Sequence, residues 1–222
     1  MRRRLLLCWQ SMALNMGAKM LLKLMLSIML VFLVGCSTNP PKNIENVCEI
    51  YDEYFDWYLA ADSVYERWKI PAHVTMAFIH QESKFVDDAR PPWQWFLWIF
   101  PTGRASSAFG YAQALDGTWY EYQRKTENWG ADRDEFEDAV DFIGWYNNKS
   151  ITRNKISPHD AYSLYLAYHE GQGGFSRKTY NGKPWLLKVA RKVEKRSNMY
   201  RNQLQGCDDA LNKHRYWRSI FG

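Results

Sequence analysis

The sequence lacks the residue spacings that mark common metal and serine-hydrolase sites. It has no HExxH motif, and no other ligand spacing is formed by its five histidines, which are His73, His80, His159, His169 and His214. It has no CxxC pair or Cys/His cluster typical of structural zinc, and no GxSxG turn around a serine nucleophile. We therefore expect a protein that uses neither a metal ion nor another cofactor.

The chain also lacks a basic field outside its first segment. Residues 1–35 contain five lysines and arginines and no acidic residue, which leaves 24 basic and 24 acidic residues in the remainder. The formal net charge of +5 thus belongs to the N-terminus. A formally neutral body offers no broad attraction to phosphates, so we expect no nucleic acid partner.

The N-terminal segment has the layout of a secretory signal peptide. An apolar run over residues 20–35 follows basic residues and is short for a membrane-spanning helix. The sequence Leu33-Val34-Gly35-Cys36-Ser37 resembles a bacterial lipobox. This resemblance implies a signal peptide over 1–35, an acylated Cys36, a linker over 36–43 and a location on the outer membrane, facing the periplasm. The alternative is an uncleaved anchor helix.

Cysteines are few, and each of the four has an expected fate. Cys8 would leave with the signal peptide and Cys36 would carry lipid, which leaves Cys48 and Cys207 in an oxidising compartment. We predict that these two form a disulfide joining the first mature helix to the last. Closing a loop of this length stabilises by roughly 5 kcal/mol in the chain-entropy treatment. Two unrelated buried thiols are the alternative.

The body of the chain shows helical rather than alternating periodicity. Apolar residues recur at helical spacing over 44–68, from Pro71 onward, over 132–148, from Ser157 to Gly171 and over 184–205. The sequence has no convincing alternating strand pattern and no internal repeat, although a small hairpin could lie within 100–115. We predict one mainly α domain over residues 44–222, with little or no sheet.

Three segments carry residues suited to chemistry. They are HQESKF at residues 80–85, SSAFGYAQ at 106–113 and AYHEGQG at 167–173. Glu82 follows an apolar run, and burial there would raise its pKa toward neutrality, so that it could protonate a leaving group. The alternative for Glu82 alone is a solvated carboxylate at a helix end, paired with Lys84 or Arg90.

In order and composition, these segments resemble the three motifs of soluble lytic transglycosylases, the SLT domain family, over about residues 65–200. The resemblance implies a lysozyme-like helical fold with a groove that binds peptidoglycan glycan strands. It also implies that Glu82 is the catalytic acid, cleaving the bond between N-acetylmuramic acid and N-acetylglucosamine to form a 1,6-anhydro ring. It implies that Ser106, Gln113 and Tyr168 bind substrate, with the Tyr168 hydroxyl close to Glu82.

Two departures from the family pattern bear on these expectations. Tyr111-Ala112 replaces Leu-Met in the second motif, so Tyr111 becomes a candidate for stacking on a sugar. His169-Glu170 replaces Asn-Ala in the third motif. A Glu170 facing the cleft could supply a second carboxylate and favour hydrolysis, whereas one facing solvent would be neutral. We expect Glu170 to face solvent, because helix ends are usually hydrated.

The aromatic stretch at residues 91–101, PPWQWFLWIFP, lengthens the link between the first two motifs. A lid over the glycan groove and a cover for the core are equally compatible with it, and contact with the membrane ranks third.

Two other functions share most of these features. A lysozyme-type hydrolase would leave a reducing sugar instead of an anhydro end, and a non-catalytic lipoprotein would only bind peptidoglycan. We expect a monomeric enzyme that contacts glycan strands and is held to the membrane by lipid.

Overall fold

The computed structural model describes residues 39–96 and 100–221 of the chain. The expected signal peptide over 1–35 and the expected lipidation of Cys36 lie outside the described residues.

The described residues form seven α-helices, one 3-10 helix and a two-stranded sheet. In chain order these elements are α1 (Val47–Glu53), α2 (Phe55–Trp68), α3 (Ala72–Glu82), β1 (Trp93–Phe96), β2 (Phe100–Arg104), α4 (Asp116–Thr126), α5 (Phe136–Asn154), α6 (Ala161–Ser176), the 3-10 helix (Thr179–Gly182) and α7 (Pro184–Phe221). This composition confirms the prediction of a mainly α fold.

Helix α3 is the central helix of the domain. Every residue from His73 to His80 is buried, which is the pattern of a helix covered on all sides. Pro71, in extended conformation, precedes its first residue, where a missing N–H costs nothing. Helix α7 packs along α3, and α5 packs against both α2 and α6. The first chemical segment is thus fixed at the end of the most enclosed helix.

Several helix boundaries differ from those the sequence predicted. The helix expected over 44–68 is two helices, because Tyr54 adopts a non-helical backbone between α1 and α2. Helix α6 begins after Asp160, whose carboxylate accepts a hydrogen bond from the Ser163 N–H at 2.9 Å, and not at Ser157. Helix α4 was not predicted, and α7 continues well past residue 205 to Phe221.

Helices α2 and α5 approach closely at a glycine. A β-carbon on Gly144 would lie 2.5 Å from the Trp68 ring and 2.7 Å from the Val64 side chain. No side chain larger than hydrogen fits this contact without displacing its neighbours. Beside it, the Trp68 indole N–H donates to the Asp141 carboxylate at 2.6 Å, which satisfies the buried ring nitrogen.

The sheet is a hairpin that begins earlier than the sequence predicted. Strands β1 and β2 pair antiparallel, with Trp93 opposite Arg104 and an irregular register after Gln94. The Trp93 ring is 52% exposed, and the Arg104 guanidinium lies 5.1 Å from its centre. About half of Trp93 faces solvent, and the interpretation of this stretch as a lid or as a cover for the core stays a prediction.

The start of the domain is fastened to α7. Cys48 and Cys207 form a disulfide, the pairing that the cysteine count predicted. Nearby, the Gln203 side chain accepts from the Val47 N–H and donates to the Glu45 carbonyl, both at 3.0 Å. These bonds satisfy backbone groups at the beginning of α1. Among the described residues, no helix is both long and apolar enough to cross a membrane.

Candidate active site

Glu82 is the last residue of α3, and a tight turn fixes the chain beyond it. The Ser83 N–H and hydroxyl both donate to the Ile79 carbonyl, at 3.0 and 3.3 Å, and so cap the helix end. Lys84 and Phe85 then adopt left-handed backbone conformations, with φ of 57° and 64°. Each costs roughly 1–2 kcal/mol in a residue other than glycine, so packing must hold the turn.

The packing that holds this turn comes from Phe85. Its side chain is fully buried, and its ring stacks on that of Trp57 with 5.7 Å between centroids. The Trp57 ring in turn lies 3.9 Å from that of Phe136. The phenylalanine of the first segment is therefore an anchor in the core that fixes where α3 ends and where the Glu82 carboxylate is placed.

Glu82 lies in surroundings that favour its protonated form. Its side chain is partly buried, and desolvation of the carboxyl raises its pKa to about 7. A hydrogen bond from Tyr165 and the positive charge of Lys84 oppose this rise without cancelling it. Near neutral pH the carboxyl therefore exists in both forms, as a group that gives and then takes back a proton requires.

Helix α6 places two tyrosines one turn apart beside Glu82. The rings of Tyr165 and Tyr168 both meet the Phe78 ring edge-on, with centroids 5.4 and 5.3 Å away. Phe78 lies one helical turn before Glu82, so both phenols face the same side of α3. The negative charge of Glu82 helps to raise the pKa of both hydroxyls, after the larger effect of burial.

The two tyrosines differ in their contacts, and the sequence prediction named only one of them. The Tyr165 hydroxyl interacts with the Glu82 carboxyl, since each group shifts the pKa of the other. The Tyr168 hydroxyl instead donates to the Ala112 carbonyl at 2.7 Å. Tyr168 is close to Glu82, as expected, and Tyr165 is a second phenol beside the carboxyl. The sequence held a signal for it, because a residue three positions before Tyr168 shares its helix face.

Hydrogen bonds connect the second segment to the chain that follows α3. The Gln113 side chain donates to the carbonyls of Ala89 and Gly110, at 2.8 and 2.9 Å, and the Gly110 N–H also donates to Ala89 at 3.0 Å. Gly110 has a φ of +77°, and a β-carbon there would lie 2.0 Å from the Arg133 carbonyl oxygen. Only glycine fits this turn. Gln113 thus braces the loop and also borders the groove.

Tyr111 does not bind sugar, contrary to the sequence prediction. Its side chain is fully buried, and its ring packs edge-on against Trp57 and Phe136 at 5.8 and 5.3 Å. The turn at Gly110 directs it into the core. Ser106, in contrast, is exposed in the loop after β2, where its hydroxyl accepts a hydrogen bond from the Ala108 N–H at 3.3 Å. Its role in binding stays a prediction.

A groove of about 260 Å³ opens where the second and third segments meet. Its walls include Gln113, Tyr168 and Tyr146, whose ring lies 5.1 Å from that of Tyr168. The Tyr168 ring is thus shared between the groove and the surroundings of Glu82. Tyr146 was not singled out from the sequence, because it lies on α5, far from any of the three segments along the chain.

Glu170 borders the same groove, but it does not face solvent as expected. Only 4% of its side chain is exposed, and its carboxylate accepts from the Lys183 ammonium at 2.6 Å and from the Thr179 hydroxyl. These bonds, with Lys183 the larger cause, lower its pKa to about 2. A carboxylate held ionised by several donors is poorly suited to donate or abstract a proton.

A break in α6 directs Glu170 and His169 toward the start of α7. Gly171 leaves the helical conformation with φ 72° and ψ 159°, and the helix resumes beyond it instead of ending there as predicted. The His169 ring meets the Trp185 ring edge-on at 5.1 Å. Trp185 is 55% exposed, so it presents an aromatic face beside the groove residue that it contacts.

The described residues contain no group of three or more His, Cys, Asp and Glu side chains that could hold a metal ion. The site combines one titrating carboxyl among tyrosines with a neighbouring groove that has aromatic walls.

A sequence model of one protein family matches most of the chain. The family is described as the transglycosylase SLT domain, and the match covers residues 24–207. No curated protein and no solved structure matches the chain.

Proposed function

The chain belongs to the transglycosylase SLT domain family, and from this premise we propose that it is a lytic transglycosylase of peptidoglycan. It would cleave the β-1,4 bond between N-acetylmuramic acid and N-acetylglucosamine and leave a 1,6-anhydromuramyl end. The observation that carries the proposal is the Glu82 carboxyl, whose pKa of about 7 suits it to act first as an acid and then as a base.

The proposed reaction uses Glu82 twice and consumes no water. The protonated carboxyl donates its proton to the glycosidic oxygen as the bond from that oxygen to muramyl C1 breaks. The muramyl 6-hydroxyl then attacks C1, and the carboxylate takes the proton of this hydroxyl. Glu82 ends the cycle protonated, and the two products are a new N-acetylglucosamine end and an anhydro ring.

The state of Glu170 favours this scheme over hydrolysis. Glycoside hydrolysis usually needs a pair of carboxyl groups with different roles. Glu170 borders the groove, but Lys183 and Thr179 hold it ionised and occupy its oxygens. With the carboxylate of the third segment so engaged, Glu82 is left to perform both proton transfers.

The neighbouring side chains are assigned supporting roles. Tyr165, which interacts with the Glu82 carboxyl, would position it. Gln113, Tyr168 and the exposed Ser106 would contact the glycan, the first two from the groove. Trp185 joins them as an exposed ring that can stack on a sugar face.

Function is tested by digesting purified sacculi with the wild type and with Glu82→Gln, followed by mass spectrometry. We expect anhydro ends, each lighter by one water than a hydrolytic end, from the wild type only. Glu66→Gln is the matched control, because Glu66 lies on α2 with 71% of its side chain exposed. Reducing ends would identify a hydrolase instead, and binding without turnover would identify a non-catalytic protein.

We also propose that Cys36 carries lipid and anchors the enzyme to the outer membrane, facing the periplasm. The Cys48–Cys207 disulfide supports an oxidising compartment outside the cytoplasm. Metabolic labelling with a fatty acid analogue should mark the wild type but not Cys36→Ala. Equal labelling of both proteins would contradict the anchor.

A further inference from the structure

A second concave surface lies between α3 and α7. It is a cleft of about 570 Å³, here named the basic cleft. Four cationic side chains and one carboxylate border it, together with polar and apolar residues. The full lining is Glu45, Ala77, His80, Gln81, Lys84, Lys192, Val193, Lys195, Arg196 and Met199.

The side chains that line this cleft carry more positive than negative charge. Glu45 forms a salt bridge with Arg196. Lys84, Lys192 and Lys195 form no salt bridge to any carboxylate of the described residues. The Lys84 ammonium lies 3.1 Å from the His80 ring instead. Gathering cations without counter-charges is unfavourable, so the arrangement favours an anionic partner.

The lowered pKa values of Lys84 and His80 are consistent with a cleft that favours an anionic partner. Burial lowers the pKa of Lys84, and the charges of Arg196 and Lys192 lower it further, against the opposing effect of Glu45. Burial and Lys84 also lower the pKa of His80 to about 4, so its ring is neutral near pH 7. An anion bound here would relieve the mutual repulsion of three lysines and one arginine.

We propose that the basic cleft binds the carboxylate groups of a short acidic peptide. If the proposed function holds, this ligand is the peptide that peptidoglycan carries on its glycan strand. Carboxylates match lysine and arginine side chains, and the partly exposed Met199 offers an apolar contact for the body of a peptide. Such a site would select glycan that still bears its peptides.

The position of the cleft relative to Glu82 fits this ligand. Phe78 and Glu82 of α3 face α6, whereas Ala77 and Gln81 of α3, with Lys84 just beyond it, border the cleft against α7. A helix with its side chains is about 10–12 Å across. A chain that passes around the end of this buried helix covers about half its circumference, roughly 16–19 Å, which takes about five extended residues at roughly 3.3–3.6 Å each. A peptide on a sugar held at Glu82 could therefore reach the cations.

Binding is tested without turnover, using free peptide released from sacculi by an amidase. Titration calorimetry compares the wild type with Lys192→Ala/Lys195→Ala, two exposed positions whose loss leaves the core unchanged. We expect binding to weaken about three- to tenfold, the effect of removing two exposed charge pairs. The control is Lys125→Ala/Lys213→Ala, which removes the same charge from exposed positions outside the cleft and should bind like the wild type.

A second measurement separates this site from general electrostatics. The ratio of kcat/KM on peptide-bearing glycan to that on peptide-free glycan should fall by a similar factor in the cleft variant and stay constant in the control. Equal binding of an amidated, carboxylate-free peptide would overturn the proposal. So would competition by vesicles of anionic phospholipid with no peptide binding, because the cleft would then serve a membrane surface.

The two proposals can fail separately. A wild type that binds the peptide but does not cleave sacculi would contradict the enzyme and leave the cleft intact. A wild type that cleaves sacculi while the cleft variant binds peptide normally would contradict the cleft alone.

Discussion

The hydroxyl of Tyr168 donates to the Ala112 carbonyl at 2.7 Å, while Tyr165, one helical turn earlier, interacts with the carboxyl of Glu82. Two phenols on one face of α6 thus perform separate tasks. One directs the titrating carboxyl, and the other ties the loop of the second segment to α6.

Replacing Tyr165 with Phe should slow the reaction and shift its pH dependence. The hydrogen bond favours the ionised carboxyl, so losing it raises the pKa of Glu82 above about 7 and misplaces the group. We expect kcat to fall roughly ten- to a hundredfold, the effect of losing a hydrogen bond to a charged group. Kinetics on soluble glycan strands at several pH values would measure both effects.

Tyr168→Phe is the comparison for this variant, because it removes an equivalent hydroxyl whose partner is Ala112. The alkaline limb of its pH profile should stay close to that of the wild type. Equal shifts in both variants would show that the two phenols act on Glu82 alike.

Activity of the wild type should decline as pH rises through about 7. Glu82 must be protonated to donate to the leaving oxygen, and its pKa is about 7. Above that value, kcat/KM should fall about tenfold per pH unit. A pH–rate profile on soluble glycan strands checks this, and a rate that is constant from pH 6 to 9 would rule out Glu82 as the acid.

Glu82→Gln should be more stable than the wild type at alkaline pH. The folded pKa of about 7 exceeds the ordinary value of 4.5, so the folded state binds more protons between these values. Stability of the wild type therefore falls as pH rises through this window. We expect the variant to gain roughly 1–3 kcal/mol at pH 8 and nothing near pH 4.5.

Urea denaturation at the two pH values would measure this gain. Glu66→Gln, at a carboxylate 71% exposed, should show no such pH-dependent difference. The same gain at both pH values would point to packing rather than to ionisation.

Removing the Cys48–Cys207 disulfide should lower stability and leave the site intact. The two cysteines are 159 positions apart, so the bond restricts a long loop of the unfolded chain. Replacing both with Ser should cost about 2–5 kcal/mol of unfolding free energy. Denaturation of the variant, and of the wild type with reductant, should agree. Unchanged stability in both would contradict a structural role.

The helices could be predicted because their apolar spacing is local. Helix α3, with its buried stripe and Pro71, follows from such a pattern. The break at Tyr54 could not, because nothing in the composition of 44–68 interrupts the helical period. The hairpin from Trp93 was placed too late, since prolines and contiguous aromatic residues hide its alternation.

At the site, sequence motifs identified the segments but not the direction of each side chain. Tyr111 is turned inward by Gly110, whose close contact with the Arg133 carbonyl comes from a distant part of the chain. Tyr165 and Tyr168 share one face of α6, so spacing could not decide which phenol meets Glu82. Glu170 looked solvated because its partner, Lys183, lies beyond a break in the helix.

The bond between Glu170 and Lys183 makes two positions interdependent. Replacing Glu170 with the alanine of the family motif would leave the Lys183 ammonium and the Thr179 hydroxyl without their acceptor. Replacing Glu170 and Lys183 together would remove both charges at once. The losses of unfolding free energy caused by the two single changes should therefore add up to more than the loss caused by the double change. Such non-additivity is typical of directly bonded residues. Grafting the usual third motif onto this chain would have to bring the beginning of α7 with it.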